Sequence, residues 1–394
     1  MDEFLKATLL IVFFILFSFA ASKLFVRREK ESFLYFLGVT GEPFVIIGIL
    51  FSFLIKRIFP PGKALEIFAP FMIVIIAFVG FLYASNFVVK YIRGLEVKNL
   101  IYVFLFFALS YYGAFFMLDA GLKAFFGGCT IVVGDLKVLA LSVTLFSPFF
   151  LYMEKKEGDG KKEHSLTLFI SYFSSFFAII FFGFLFYRER VIRIETFSIK
   201  LSFLLFGIIL LLSVSLFSLL SSKLKREEVM TLSIGILAIA GGMAVFTTTS
   251  IITIAAVLSF LYVNMPYRIK EFKLIPHLLM FEKPVFILLL LLTPMFLFKV
   301  EGFQIFKIGI LLVFIRFFLR AIFILFLRVL KRDISFGALL PYGPLPLAIA
   351  VSYFFIVGEG SSVVVGSLII SQLLGDFLSS LYFFYSRKRG AVEK

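Results

Sequence analysis

The chain has 394 residues, of which 61% are hydrophobic and 59 are Phe. Soluble domains are nearer half apolar, so this composition excludes a soluble enzyme or binding domain and indicates an integral membrane protein. The formal net charge of +15 is scattered over many short loops, which is typical of a topology signal and excludes a nucleic-acid-binding patch. With one Cys, the chain has no internal disulfide.

Apolar runs long enough to cross a bilayer recur along the whole chain. They are continuous rather than alternating, which indicates helices and not barrel strands. The first run begins with Met-Asp-Glu and is too long for a signal-peptide core, so we expect it to be retained as a span. The runs predict about thirteen spans, near residues 5–25, 33–55, 66–89, 99–121, 124–152, 165–187, 198–221, 229–246, 248–265, 281–298, 304–327, 335–357 and 362–386.

Two of these spans are long enough to be broken. The fifth carries charges in an apolar stretch, and we expect its helix to unwind near Gly134. The twelfth contains "LLPYGPLPLA", and its helix breakers Pro341, Gly343, Pro344 and Pro346 do not fit a regular helix.

The basic residues predict the orientation. Loops on the side opposite the N-terminus, together with the C-terminal tail, hold most of the 39 Lys and Arg residues. This asymmetry places the N-terminus outside and the C-terminus in the cytoplasm of a cell (inner) membrane. An odd number of spans agrees with this orientation, because it puts the two ends on opposite sides.

Three basic residues, Lys137, Arg316 and Arg320, fall within predicted spans. A buried charge costs about 2.5–3.5 kcal/mol on insertion scales, so such residues face a cavity or a partner. Arg316 and Arg320 are one turn apart and share a helix face, which indicates a substrate or ion pathway. The alternatives are a structural ion pair with Asp135 or Asp376, or an Arg320 side chain that reaches the cytoplasmic interface.

The acids at membrane depth are Asp135 and Asp376. Asp135 and Lys137 are two residues apart, so both reach a central cavity only if the helix unwinds near Gly134; a structural role is the alternative. Asp376 has serine neighbours, and hydrogen bonding between helices is the alternative to substrate contact for it. No metal-ligand, nucleophile-elbow, phosphate-loop or dinucleotide motif occurs, so we expect no enzyme, no metal and no cofactor.

Four segments together resemble the cation/proton antiporter superfamily of sodium/proton exchangers. They are "GVTGEPFVIIGILFS" (Gly38–Ser52), "IAFVGFLYASNFVVKYIRG" (Ile76–Gly94), "VVGDLKVLA" (Val132–Ala140) and "FGALLPYGPLPLAIAVS" (Phe336–Ser352). The resemblance covers nearly the whole chain in order and spacing. It implies an all-α membrane protein of the sodium/proton antiporter fold, with inverted repeats and two broken helices that cross at mid-membrane.

The resemblance also implies roles for individual residues. Asp135 stands where the family has the Asp or Ser of an unwound fifth span, and Arg316 matches the basic residue of the eleventh span. Relatives that couple transport to protons carry an acidic pair in the sixth span, whereas this chain has Ser174 and Ser175 there. The family's Thr and Pro beside Asp135 are replaced by Gly134 and Leu136, and its Arg in the twelfth span by Tyr342.

A single transmembrane domain therefore spans residues 1–394. Its scaffold and dimer-forming part includes spans one to four and seven to ten, and its transport part covers 99–187 and 304–386. The leading hypothesis is an antiporter of a monovalent cation (Na⁺ or K⁺) against protons, working by alternating access with Asp135 as the titrating acid. The alternative is a transporter of an anionic or organic substrate bound by Arg316, Arg320 and helix N-termini; the third is a membrane sensor.

The resemblance implies a homodimer. The small residues of "AIAGGMAVF" (Ala238–Phe246) fit a close helix contact, either between two copies or within one chain.

Overall fold

A computed structural model describes residues 2–26, 41–59, 61–85, 97–126, 131–145, 173–185, 207–209, 211–215, 226–247, 249–264, 281–297, 302–329 and 343–392. These residues form helices joined by turns. The principal helices are α1 (Asp2–Val26), α2 (Glu42–Ile58), α3 (Pro61–Ser85), α4 (Val97–Phe126), α5 (Val133–Thr144), α6 (Phe173–Leu185), α7 (Arg226–Phe246), α8 (Ile251–Asn264), α9 (Glu282–Leu292), α10 (Gly302–Val329), α11 (Leu345–Val357) and α12 (Ser362–Val392).

The helix of the fifth span, α5, is short, and the described residue at each of its ends is extended. Val132 has φ −65° and ψ 141°, α5 begins at Val133, and Leu145 at the other end has φ −75° and ψ 145°. Gly134 is therefore in the first turn of a regular helix rather than in an unwound segment. The first amides of a helix have no partner within the helix, and those of α5 lie beside the candidate acid.

The start of α11 follows the predicted helix breakers. Gly343 has φ +68°, a left-handed conformation that glycine adopts without a steric penalty, and Pro344 caps the helix. The prediction was wrong for Pro346, which lies in the first turn of α11, where a missing N–H removes no helical hydrogen bond. Pro341 and Tyr342 lie outside the described residues.

The ends of α11 and α12 form a tight hairpin. Gly358 has φ +92° and donates its N–H to the carbonyl of Phe354, closing the last turn of α11. A 3₁₀ turn, Glu359–Ser361, then leads directly into α12. The two helices therefore run antiparallel and pack against each other.

The helices pack in two groups. In the first, which we call the transport group after the role proposed for it below, α4, α5, α10, α11 and α12 pack together, and α11 also contacts α3 of the other group. Helix α6 joins this group through the ring of Phe181, which meets those of Phe107 and Tyr111 on α4. The short helix α5 contacts α4, α10, α11 and α12, so the half-helix that carries Asp135 lies inside the transport group.

The second group, which we call the scaffold group, consists of α1, α2, α3, α7, α8 and α9. Its helices approach closely at glycines: a Cβ on Gly48 of α2 would lie 2.6 Å from the carbonyl oxygen of Leu291 on α9. Gly241, in the small-residue segment considered for dimerisation, faces Ile73 of α3, whereas a Cβ on Gly242 would meet nothing within 4 Å. Gly241 therefore serves packing within the chain.

The described helices suit a lipid environment. Leu5–Lys23, Lys63–Ser85, Val103–Ala124, Phe303–Leu325 and Ser362–Tyr382 are long and apolar enough to cross a membrane. Large apolar side chains also cover outward faces, with Leu109, Phe116 and Phe314 each more than 60% exposed. A soluble protein seldom exposes so much apolar surface, so the chain is a multi-pass membrane protein.

Candidate functional site

Asp135 joins the two interrupted helices. Its side chain is 6% exposed in the first turn of α5, and its Oδ1 accepts a hydrogen bond of 2.8 Å from the hydroxyl of Tyr353 on α11. The first turn of a helix favours a negative charge, because the unpaired amides carry a partial positive charge. Asp135 is therefore a buried acid that links α5 to α11, at the end of α5 where the helix dipole favours an anion.

Arg316 and Arg320 lie at the opposite end of α5. Arg320 donates through Nη2 to the carbonyl oxygens of Val143 (3.1 Å) and Leu145 (2.6 Å), and Arg316 donates through Nη1 to the carbonyl of Ser142 (3.5 Å). Both side chains are at most 1% exposed. The guanidinium groups therefore satisfy the last carbonyls of α5 and complement the negative end of its dipole.

The two ends of α5 are thus chemically different. Asp135 and Ser142 are seven residues apart on one face of the helix, about 10 Å along its axis. The predicted common face of Arg316 and Arg320 is found, and both residues contact the end of α5 remote from Asp135. Lys137 lies within regular helix, about 200° around the axis from Asp135, and is partly exposed.

Asp376 lies on a buried polar face of α12. It is 1% exposed, and Gln372, one turn earlier on the same face, is 2% exposed. Ser371, Ser379 and Ser380 are fully buried nearby, and Ser379 donates to the carbonyl of Gly375. Helix α12 as a whole contacts α2, α5, α10 and α11.

Ser174 and Ser175 are fully buried in α6. Besides the aromatic contacts to α4, α6 is tied to the scaffold group by Thr253 of α8, whose hydroxyl donates to the carbonyl of Ile179 at 3.0 Å. The two hydroxyls therefore lie on a helix that touches both groups.

Sequence reasoning missed Tyr353 and Gln372. Tyr353 is 218 positions from its partner, and nothing in an aromatic residue within an apolar run distinguishes it from a core residue. Gln372 was detectable in principle, because a neutral amide within a predicted span is itself costly. Among the described residues, no group of three His, Cys, Asp or Glu side chains is arranged to hold a metal ion.

A solved structure has the same fold. The chain is similar to the sodium proton antiporter MjNhaP1 from Methanocaldococcus jannaschii, with a TM-score of 0.63 and 13% sequence identity, over 96% of this chain and 99% of the antiporter. No family model and no curated protein matches the sequence. The likeness confirms the predicted all-α membrane fold of the sodium/proton antiporter type.

Proposed function

We propose that the chain is a secondary active transporter that exchanges a monovalent cation for protons by alternating access. The observation that carries the proposal is the buried Asp135, held at the start of one half-helix by Tyr353 from the other. A carboxylate in this position attracts a cation when it is ionised and releases it when a proton binds. The cation and the proton therefore compete for the carboxylate of Asp135. In a protein that alternates between two open sides, this competition is sufficient to exchange one for the other.

The surroundings of the other charges support a cation rather than an anion as substrate. An anionic or organic substrate requires guanidinium groups that face the pathway, whereas Arg316 and Arg320 donate to carbonyls at the C-terminal end of α5. The arginines are accordingly proposed to position α5. Further groups along the cation pathway are proposed to be Ser174, Ser175 and Asp376. Lys137 is proposed as a charged residue at the edge of this pathway.

The proposal is tested with purified protein in proteoliposomes that carry a pH gradient and an internal pH dye. Addition of Na⁺ or K⁺ should dissipate the gradient with wild-type protein, and Asp135→Asn should abolish this response. The matched control is Asp119→Asn on α4, because Asp119 is exposed and pairs with Lys123 at 2.6 Å. Gradient dissipation that persists unchanged in Asp135→Asn contradicts the proposal.

The same preparation tests the alternative substrate class. If wild-type protein shows no cation response but binds an organic anion in a manner lost in Arg316→Ala, the anion transporter replaces the proposal. If neither response is found in folded protein, the sensor hypothesis gains support.

The proposal includes a homodimer in the cell membrane, with the N-terminus outside and the C-terminus in the cytoplasm. The excess of basic residues on one side supports this orientation. Protease accessibility of tags fused to each end, in intact and in lysed cells, distinguishes it from the inverse.

A further inference from the structure

Gln372 is a buried amide to which no described residue is hydrogen-bonded. It is 2% exposed, and across the described part of the chain neither its Nε2 nor its Oε1 has a hydrogen-bond partner. Buried polar groups in native proteins are almost always hydrogen-bonded, because desolvation of an unpaired amide is unfavourable. Among the described residues, the hydroxyls of Ser259, Ser352 and Ser367 are also buried without a partner, but Gln372 is an amide that leaves both a donor and an acceptor unpaired, so it offers the larger polar group to a ligand.

The direction of Gln372 follows from the packing of α12. Gly366 and Ile370 form the face of α12 that meets α10, since a Cβ on Gly366 would contact Ile305 and one on Gly309 would contact Ile370. Gln372 lies about 140° around the axis from the middle of that face. It therefore points away from α10, on the same side of α12 as Asp376.

The hairpin sets the level of Gln372 in the bundle. Because the two helices are joined by a short turn and pack together, we expect residues at equal distances from Gly360 in the turn to lie at a similar level, which pairs Tyr353 on α11 with Ser367 on α12. Gln372 is five residues farther along α12, about 7.5 Å along the axis. Side chains in a helix lean toward its N-terminus, so the amide of Gln372 reaches back toward the level of Tyr353 and Asp135.

We propose that Gln372 is a specificity-determining ligand, whose amide oxygen coordinates the alkali cation that Asp135 attracts. This inference rests on the proposed cation exchange and adds a residue to it. One carboxylate combined with neutral oxygens suits a monovalent cation, because neutral oxygens replace hydration water without adding charge. The position of the amide oxygen then contributes to the choice between Na⁺ and K⁺.

The test is Gln372→Met in the full chain, with cation-driven proton exchange measured in proteoliposomes over a range of Na⁺ and K⁺ concentrations. The apparent KM for Na⁺ should rise by about tenfold or more, and the ratio of the two KM values should change. The melting temperature should be unchanged or higher, because Met fills the same space without an unpaired amide. A lower melting temperature overturns the inference, since the amide then has a protein partner.

The matched control is Ser367→Ala. Its hydroxyl is also fully buried, and within the described residues it likewise has no hydrogen-bond partner, but it lies about 140° around α12 from Gln372. Wild-type KM values are expected for this variant. An equal effect in both variants overturns the inference, because it indicates a general change in packing.

A second variant keeps the amide if Gln372→Met fails to fold. Gln372→Asn withdraws the amide oxygen by one methylene, so the site should favour the larger K⁺. The KM for K⁺ should then fall relative to the KM for Na⁺, and an unchanged ratio of the two overturns the inference. If exchange is lost in Asp135→Asn while Gln372→Met keeps wild-type KM values, the role of Gln372 is overturned and the proposed function is not. Exchange that is absent from the wild type, or unaffected by Asp135→Asn, overturns the proposed function as well.

Discussion

The transport group and the scaffold group bury different chemistry. Among the described residues, the buried charges of the transport group are Asp135, Arg316, Arg320 and Asp376, whereas the scaffold group buries Glu42. Three of the four in the transport group belong to or contact the short helix α5. Buried charges are costly in a membrane, so they are kept where they have a role. Their concentration around the short helix α5 makes this part of the molecule the candidate ion-binding region.

The two groups also differ in how their helices approach. In the scaffold group, the three atoms nearest to a Cβ on Gly48 are backbone atoms of Leu290 and Leu291. In the transport group, the atoms nearest to a Cβ on Gly366 are side-chain ends of Ile305 and Leu297. Backbone cannot yield locally and side-chain ends can, so at this pair of positions the scaffold is the more rigid packing.

The largest effect is expected at Arg320. Arg320→Ala removes both donors to the carbonyls of Val143 and Leu145 and the positive charge at the end of α5. Hydrogen bonds from a charged group contribute about 1.5–3 kcal/mol each, so the variant should lose about 3 kcal/mol or more of stability. Thermal unfolding in detergent measures this loss.

Arg320→Lys is the control for that prediction. The ammonium keeps the charge but lacks the planar fork, so stability should fall between wild type and Arg320→Ala. A wild-type melting temperature for Arg320→Ala contradicts the role of the arginine in holding α5.

The next effect concerns the scaffold. Gly48→Ala places a methyl group against backbone and should destabilise the protein by about 2 kcal/mol. Gly366→Ala meets movable side chains and should cost less. Melting temperatures of the two variants compare the groups directly; a greater loss for Gly366→Ala than for Gly48→Ala contradicts the more rigid scaffold.

A smaller effect is expected for the contact between Asp135 and Tyr353. Asp135→Ala, Tyr353→Phe and the double variant form a cycle whose coupling free energy should be about 1.5 kcal/mol, the value of a hydrogen bond to a charged group. Thermal stability of the four proteins gives this energy. Additive effects of the two substitutions exclude an interaction between the half-helices at this point.

Sequence reasoning found the all-α membrane fold and the start of α11 after Gly343 and Pro344, because long apolar runs and a Gly-Pro sequence act locally. It also found Asp135 and the shared face of Arg316 and Arg320, since charges within apolar runs are visible without a structure. It could not find the contacts of the arginines, because their acceptors are backbone carbonyls that leave no trace in residue type. It placed an unwound segment near Gly134, whereas the extended residues are Val132 and Leu145 at the two ends of α5, since glycine is also tolerated in the first turn of a helix.

The smallest effect is expected at an ion pair outside both buried sets. Asp119 and Lys123 are one turn apart on α4, 2.6 Å from each other, with side chains 43% and 71% exposed. An exposed pair gains little, because water and ions screen it and two long side chains lose freedom, so Asp119→Asn should change stability by less than about 0.5 kcal/mol. Its melting temperature should match that of the wild type at low and high salt. If Asp119→Asn instead destabilises the protein as much as Arg320→Ala, burial does not explain the contribution of the charges around α5 to the free energy of unfolding.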